Sequence, residues 1–117
     1  MYFYKENIEL HKLKAENSKF EFHAVNKWYE DIKNHGIKNH LIINDKNIII
    51  LGGTRYFILK LLKTNNYTKI PCIIYSNYIL NSKKQITINT VSQLTGLTKK
   101  EIFRALLHES NIHSRRR

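Results

Sequence analysis

The chain has 117 residues, 42% of them apolar, and carries 20 Lys and Arg against 9 Asp and Glu for a formal charge of +11. This length allows one compact domain, or a domain of about 80 residues with a short appended module. No window approaches the roughly 18 consecutive apolar residues of a membrane-spanning helix, and the start Met1-Tyr2-Phe3-Tyr4-Lys5-Glu6 lacks the pattern of a secretory signal, so the mature chain is expected to begin here and to stay in the cytoplasm.

A positive surplus of this size asks for an anionic partner. A cationic surface gains affinity for duplex nucleic acid by releasing condensed counterions, independently of sequence. An anionic membrane fits less well, because Arg115-Arg116-Arg117 has no apolar helix face beside it. A basic tail over residues 113–117 that touches phosphates is the expectation. The abundance of Asn, Lys and Ile points to an A·T-rich genome such as that of a phage or plasmid, which would place the protein at the nucleoid or in an infected host cell.

In chain order, Ala24 to His35 carries Val25, Trp28, Tyr29 and Ile32 at i, i+3, i+4 and i+7, with Gly36 beyond, and predicts a helix with one buried face. Leu41-Ile42-Ile43 and Ile48-Ile49-Ile50-Leu51 flank Asn44-Asp45-Lys46-Asn47, whose side chains favour a turn, and predict a hairpin. Gly52-Gly53 break the second strand. Thr54 is expected to cap a helix bearing Phe57, Ile58, Leu61 and Leu62, ended by Asn65-Asn66. Lys69 to Tyr75 predicts a strand with Pro71 near its start, and Cys72 within it reads as a small buried hydrophobe.

A polar stretch from Ser76 to Lys84 separates residues 1–80 from a second unit over residues 85–112. Thr90-Val91-Ser92-Gln93 and Thr98-Lys99-Lys100-Glu101 both read as capping boxes, with Gly96 between them. Two helices about a glycine turn, the second with Ile102, Ala105 and Leu106 inward, fit a helix-turn-helix. Lys99, Lys100 and Arg104 stand where a recognition helix meets DNA.

These residues resemble a family. Glu30-Asp31-Ile32-Lys33-Asn34-His35-Gly36-Ile37-Lys38-Asn39-His40-Leu41-Ile42-Ile43 resembles the first box of ParB N-terminal domains, where a helix ends in His-Gly-Leu and runs into a strand. Gly52-Gly53-Thr54-Arg55-Tyr56, followed by Leu59-Lys60-Leu61-Leu62, resembles the second box, and Ile70-Pro71-Cys72-Ile73-Ile74 the strand that closes the unit. Ile8-Glu9-Leu10-His11-Lys12-Leu13 is similar to the family's short opening strand, and Val91 to Leu107 to its helix-turn-helix. The resemblance implies the small α/β fold shared by ParB N-domains, sulfiredoxins and ParB-like nucleases, and a second box that cradles nucleotide phosphates or DNA backbone. Here that box is Gly52, Gly53, Thr54 and Arg55, with Tyr56 beside them. The chemistry agrees: glycines at a strand-to-helix turn let backbone N–H groups approach an anion, the helix N-terminus adds partial positive charge, and an Arg grips two oxygens. Gly53 and Thr54 replace the Glu and Arg of chromosome-segregation ParB proteins, and the Glu-Asn-x-Gln-Arg segment of their CTP site is absent, which weighs against CTP-switched sliding.

Three functions follow from this. The first is DNA binding with metal-dependent nicking or cleavage, with Mg²⁺ or Mn²⁺ held near Glu30 and Asp31, Arg55 assisting, and Asp45, His35 or His40 in reserve. The second is a non-catalytic DNA-binding regulator, partition or architectural protein, expected as a homodimer. The third is binding of CTP or ATP on the glycine loop, as in an NTPase or kinase.

Overall fold

The computed structural model describes residues 1–16 and 22–115. Strand β1 (Tyr2–Glu9) pairs antiparallel with β4 (Lys69–Ser76) over its whole length, Tyr2 opposite Ser76 and Glu9 opposite Lys69. The opening strand therefore lies upstream of the expected Ile8 to Leu13. Leu10–Lys12 turn instead into one 3₁₀ turn, whose entry is fixed by N–H bonds from Leu10 to the Thr68 carbonyl and from His11 to that of Asn66. Leu10 is fully buried, an apolar anchor that read as part of a strand.

Helix α1 (Phe22–His35) follows, then β2 (Leu41–Asn44) and β3 (Ile49–Leu51) as the expected hairpin. The Asn44 Oδ1 accepts the N–H groups of Lys46 and Ile48, and Asn47 adopts a left-handed φ of 64°, so the turn rests on the asparagine chemistry read from the sequence. Helix α2 (Gly53–Leu61) begins directly at the glycines, with Gly52 rather than Thr54 preceding its first turn. After β4 come β5 (Gln85–Ile86), α3 (Ile88–Thr95) and α4 (Lys99–Arg115).

Among the described residues the strands form one sheet in the order β3-β2-β4-β1-β5, with β2 parallel to β4 and the other pairs antiparallel. Pro71 lies in the central strand β4, one residue before β2 joins at Leu41 opposite Cys72, where its missing N–H disturbs the ladder least. Alternation along β4 sorts the core into two halves. Ile70, Cys72 and Ile74 face α1 and α2, together with Tyr4, Leu41, Ile43, Val25 and Ile58. Ile73 faces the other way, with Phe3, Ile42 and the α3 and α4 residues Val91, Ile102 and Leu106. The result is a mixed α/β fold with helices on both faces of a mixed sheet. No described helix is long and apolar enough to cross a membrane.

The capping boxes fare differently. At Thr98 the box is complete: its hydroxyl accepts the Glu101 N–H at 3.2 Å, and the Glu101 carboxylate accepts both the Thr98 N–H and its hydroxyl. Thr90 is not a cap. It lies inside α3, and the Thr87 hydroxyl accepts its N–H at 3.2 Å, because Ile88 already belongs to the apolar face of the helix.

Candidate functional site

A cleft of about 910 Å³ opens where α1, the loop entering β2, β3 with the start of α2, and α4 with the turn before it come together. Its floor is Gly52. The φ of 110° there is left-handed, and a Cβ would stand 2.6 Å from the Cγ of buried Leu41, so backbone and side chain pack as only glycine permits. The chain leaves this turn straight into α2, whose N-terminus receives no side-chain cap and has no acidic residue in its first turn. Tyr56 donates its N–H to the Gly52 carbonyl, while Gly53, Thr54 and Arg55 line the cleft with the orphan end of the helix.

Arg55 is half-buried and does not project freely. Its Nη1 donates to the Asn39 carbonyl at 2.6 Å and to the His40 carbonyl at 3.3 Å, tying α2 to the entry of β2. Burial draws the guanidinium below its ordinary pKa, and the nearby Cys72 opposes this. Burial also pushes the Cys72 thiol up to about 12, so the residue behaves as the inert hydrophobe expected of its neighbours. His40 stands beside this knot. Its N–H donates to the Leu94 carbonyl of α3 at 2.9 Å, while its Nδ1 is buried without a hydrogen-bond partner among the described residues. Burial foremost, then the charges of Lys5 and Arg55, hold its pKa below the usual histidine value, partly offset by the Leu94 backbone.

The walls come from segments far apart in sequence. Trp28, expected on the buried face of α1, is 46% exposed and lines the cleft, because the Val25 and Ile32 side of the helix takes the core contact. Thr95, Gly96 and Leu97 form the opposite wall, where Gly96 turns with a φ of 72° and a Cβ would meet the Asn39 amide at 3.2 Å. Nothing in the local sequence near Gly96 announces that Asn39 will lie against it. The Thr95 hydroxyl, bonded back to the Val91 carbonyl at 2.8 Å, holds the end of α3 at this wall.

Of the two acidic candidates, Asp31 lines the cleft and Glu30 is exposed outside it. Asp31 lies 3.2 Å from His35 Nδ1 and 3.7 Å from Lys38 Nζ. Asp45 is remote from the cleft lining and accepts a hydrogen bond from Ser76. Among the described residues no group of three or more His, Cys, Asp or Glu is gathered as a metal-ligand set. Tyr56 packs toward the first core, with Lys60 Nζ 5.5 Å from its ring centre. Lys99, Lys100 and Arg104 are exposed on α4, Arg115 closes that helix, and Arg116 and Arg117 lie outside the described residues.

The fold is similar to a solved structure, described as the C2221 form of a Pnob8-like ParB-N domain, with a TM-score of 0.55 and 18% sequence identity. The match covers 67% of this chain and 31% of that one, so the chain spans about a third of that protein's length. No protein-family model and no curated protein matches the sequence. At this identity the likeness is one of fold, and the fold is ParB-like.

Proposed function

We propose that the chain binds DNA through phosphate contacts, and that the Gly52 to Arg55 cleft is a phosphate-holding site. The observation that carries this is the uncapped N-terminus of α2, opening into a cleft without a neighbouring carboxylate in its first turn. Backbone N–H groups and the positive end of the helix macrodipole converge there, an arrangement suited to an anion. The formal charge of +11 supplies long-range attraction for a polyanion, and exposed Lys99, Lys100 and Arg104 put cations at the first turns of α4. The α3 and α4 pair, joined at Gly96, supports the reading as a helix-turn-helix.

A second reading has its own observation. The cleft volume lies in the range of small-molecule sites, and the half-exposed Trp28 ring at its wall suits a flat base, which favours a nucleotide such as CTP or ATP as occupant. Strand cleavage is the enzymatic form of the first reading. Asp31 is the carboxylate on the cleft wall and is tied to Lys38 and His35, which does not make a ligand set for Mg²⁺ or Mn²⁺, so no catalytic step is assigned to a metal.

The test is a supercoiled plasmid incubated with the protein in EDTA and in Mg²⁺ or Mn²⁺, beside a Thr54→Asp variant. Its new carboxylate would occupy the helix N-terminus and keep the helix while repelling phosphate. A shift of the plasmid in EDTA that weakens in the variant supports phosphate binding at this loop. No shift at low salt overturns DNA binding. Nicking that requires metal and disappears in Asp31→Ala would bring cleavage forward, and thermal stabilisation by CTP or ATP that disappears in Thr54→Asp would bring the nucleotide forward.

A further inference from the structure

Helix α4 carries more apolar surface than the core uses. Ile102 and Leu106 are buried in the second core, and Ala105 lies at the cleft. On the outward flank, Lys100, Phe103, Arg104 and Leu107 follow one another at i, i+3, i+4 and i+7, and so form a single stripe. Phe103 is 44% exposed and Leu107 64%, although both are large and apolar. Glu101, the acidic residue of the first turn, is turned into the Thr98 cap and does not join the stripe.

A cation, an aromatic ring, a second cation and a leucine on one helix face describe the chemistry of the partner. It must be anionic overall and must present apolar groups at the reach of a helix side chain. A second copy of this chain meets the second demand and fails the first, since it carries the same formal charge of +11 and is not anionic. The DNA major groove meets both: it admits an α-helix between two rows of phosphates, and its apolar group is the thymine C5-methyl. Double-stranded RNA has uracil in place of thymine and a major groove too narrow for side chains to read.

We infer that the outward stripe of α4 reads DNA from the major groove, with Phe103 and Leu107 packed on thymine methyl groups while Lys100 and Arg104 contact flanking phosphates, so that the chain prefers A·T-rich duplex. This rests on the reading of the chain as a DNA-binding protein and adds to it a base preference and the residues that set it. The stripe and the cleft meet at the turn before Lys99 but lie on different flanks of α4, so their contributions are separable.

Three labelled duplexes of equal length test this by fluorescence anisotropy: an A·T-rich one, the same one with every thymine replaced by uracil, and a G·C-rich one. Uracil removes the methyl and leaves every hydrogen-bonding group of the groove in place. The wild type should bind the thymine duplex more tightly, by about fourfold for each methyl contact removed. Phe103→Ala should discriminate less between thymine and uracil duplexes and the Phe103→Ala, Leu107→Ala double variant should bind them alike, both with an unchanged salt dependence because no phosphate contact is lost. Lys100→Ala should weaken all three duplexes together and flatten the salt dependence. Equal wild-type binding to thymine and uracil duplexes overturns the stripe reading alone, as does discrimination that persists in the Phe103→Ala, Leu107→Ala double variant. Absence of binding to every duplex overturns DNA binding itself. A dimer in sedimentation that Leu107→Asp disperses, with no discrimination against uracil, assigns the stripe to a second copy and also overturns the reading.

Discussion

The cleft at Gly52 and the outward stripe of α4 are made of opposite materials. The anion donors of the cleft are backbone: a left-handed glycine packed on Leu41 leads into an uncapped helix end, held in place by a guanidinium on two carbonyls of the β2 entry. The stripe is side chain alone, displayed on a helix whose other face is already committed to the core. Backbone donors cannot be removed without altering the fold, although a charge placed beside them can mask them, whereas a site built from exposed side chains can be rewritten while the fold stands. The same protein thus carries one recognition surface fixed by its architecture and another set residue by residue.

Substitutions can break that contrast, and the largest effect is expected at Gly52. Gly52→Ala places a Cβ 2.6 Å from Leu41 in a left-handed conformation, and should cost about 2–4 kcal/mol in denaturant unfolding through strain and overpacking. Thr98→Ala removes the hydroxyl of a complete capping box and should cost about 1 kcal/mol. Thr54→Asp sharpens the contrast, because it should leave stability within about 1 kcal/mol while weakening phosphate or DNA binding about tenfold or more. Phe103→Ala, on the exposed stripe, should change stability by no more than about 0.5 kcal/mol and act on base preference alone.

The smallest effect is a slope with pH. The folded protein holds the His40 pKa below its ordinary 6.5, so the unfolded chain binds the proton more readily. His40 therefore stabilises the fold fully above about 6.5, and this contribution falls as pH drops from there through the lower folded value. Denaturant midpoints measured downward from neutral pH should decline more steeply in the wild type than in His40→Asn. Parallel curves would contradict the burial of an unprotonated imidazole against Lys5 and Arg55.

Much of this fold was legible in the sequence where one residue type has one dominant local use. The spacing of Val25, Tyr29 and Ile32, the asparagines of the hairpin turn and the box at Thr98 all acted as read. Reading failed where two local uses compete. Leu10 looked like strand and is the anchor of a 3₁₀ turn, and Thr54 looked like a cap although the glycine before it already sets the start of the helix. For the cleft, Gly52 to Arg55 stood out in the sequence as a unit, and all four are among its lining residues. Trp28 and Gly96 did not stand out as neighbours of that loop. Their positions depend on how α1 and the α3 turn pack across the sheet, a long-range result that no local pattern encodes.

The most direct test of phosphate-driven DNA binding is the affinity of the wild-type protein for one labelled duplex across a salt series, beside Thr54→Asp and a Lys100→Ala, Arg104→Ala double variant. The logarithm of affinity should fall linearly with the logarithm of salt concentration, and each variant should have a weaker affinity with a shallower slope. Binding that ignores salt, or no binding at low salt, would contradict it.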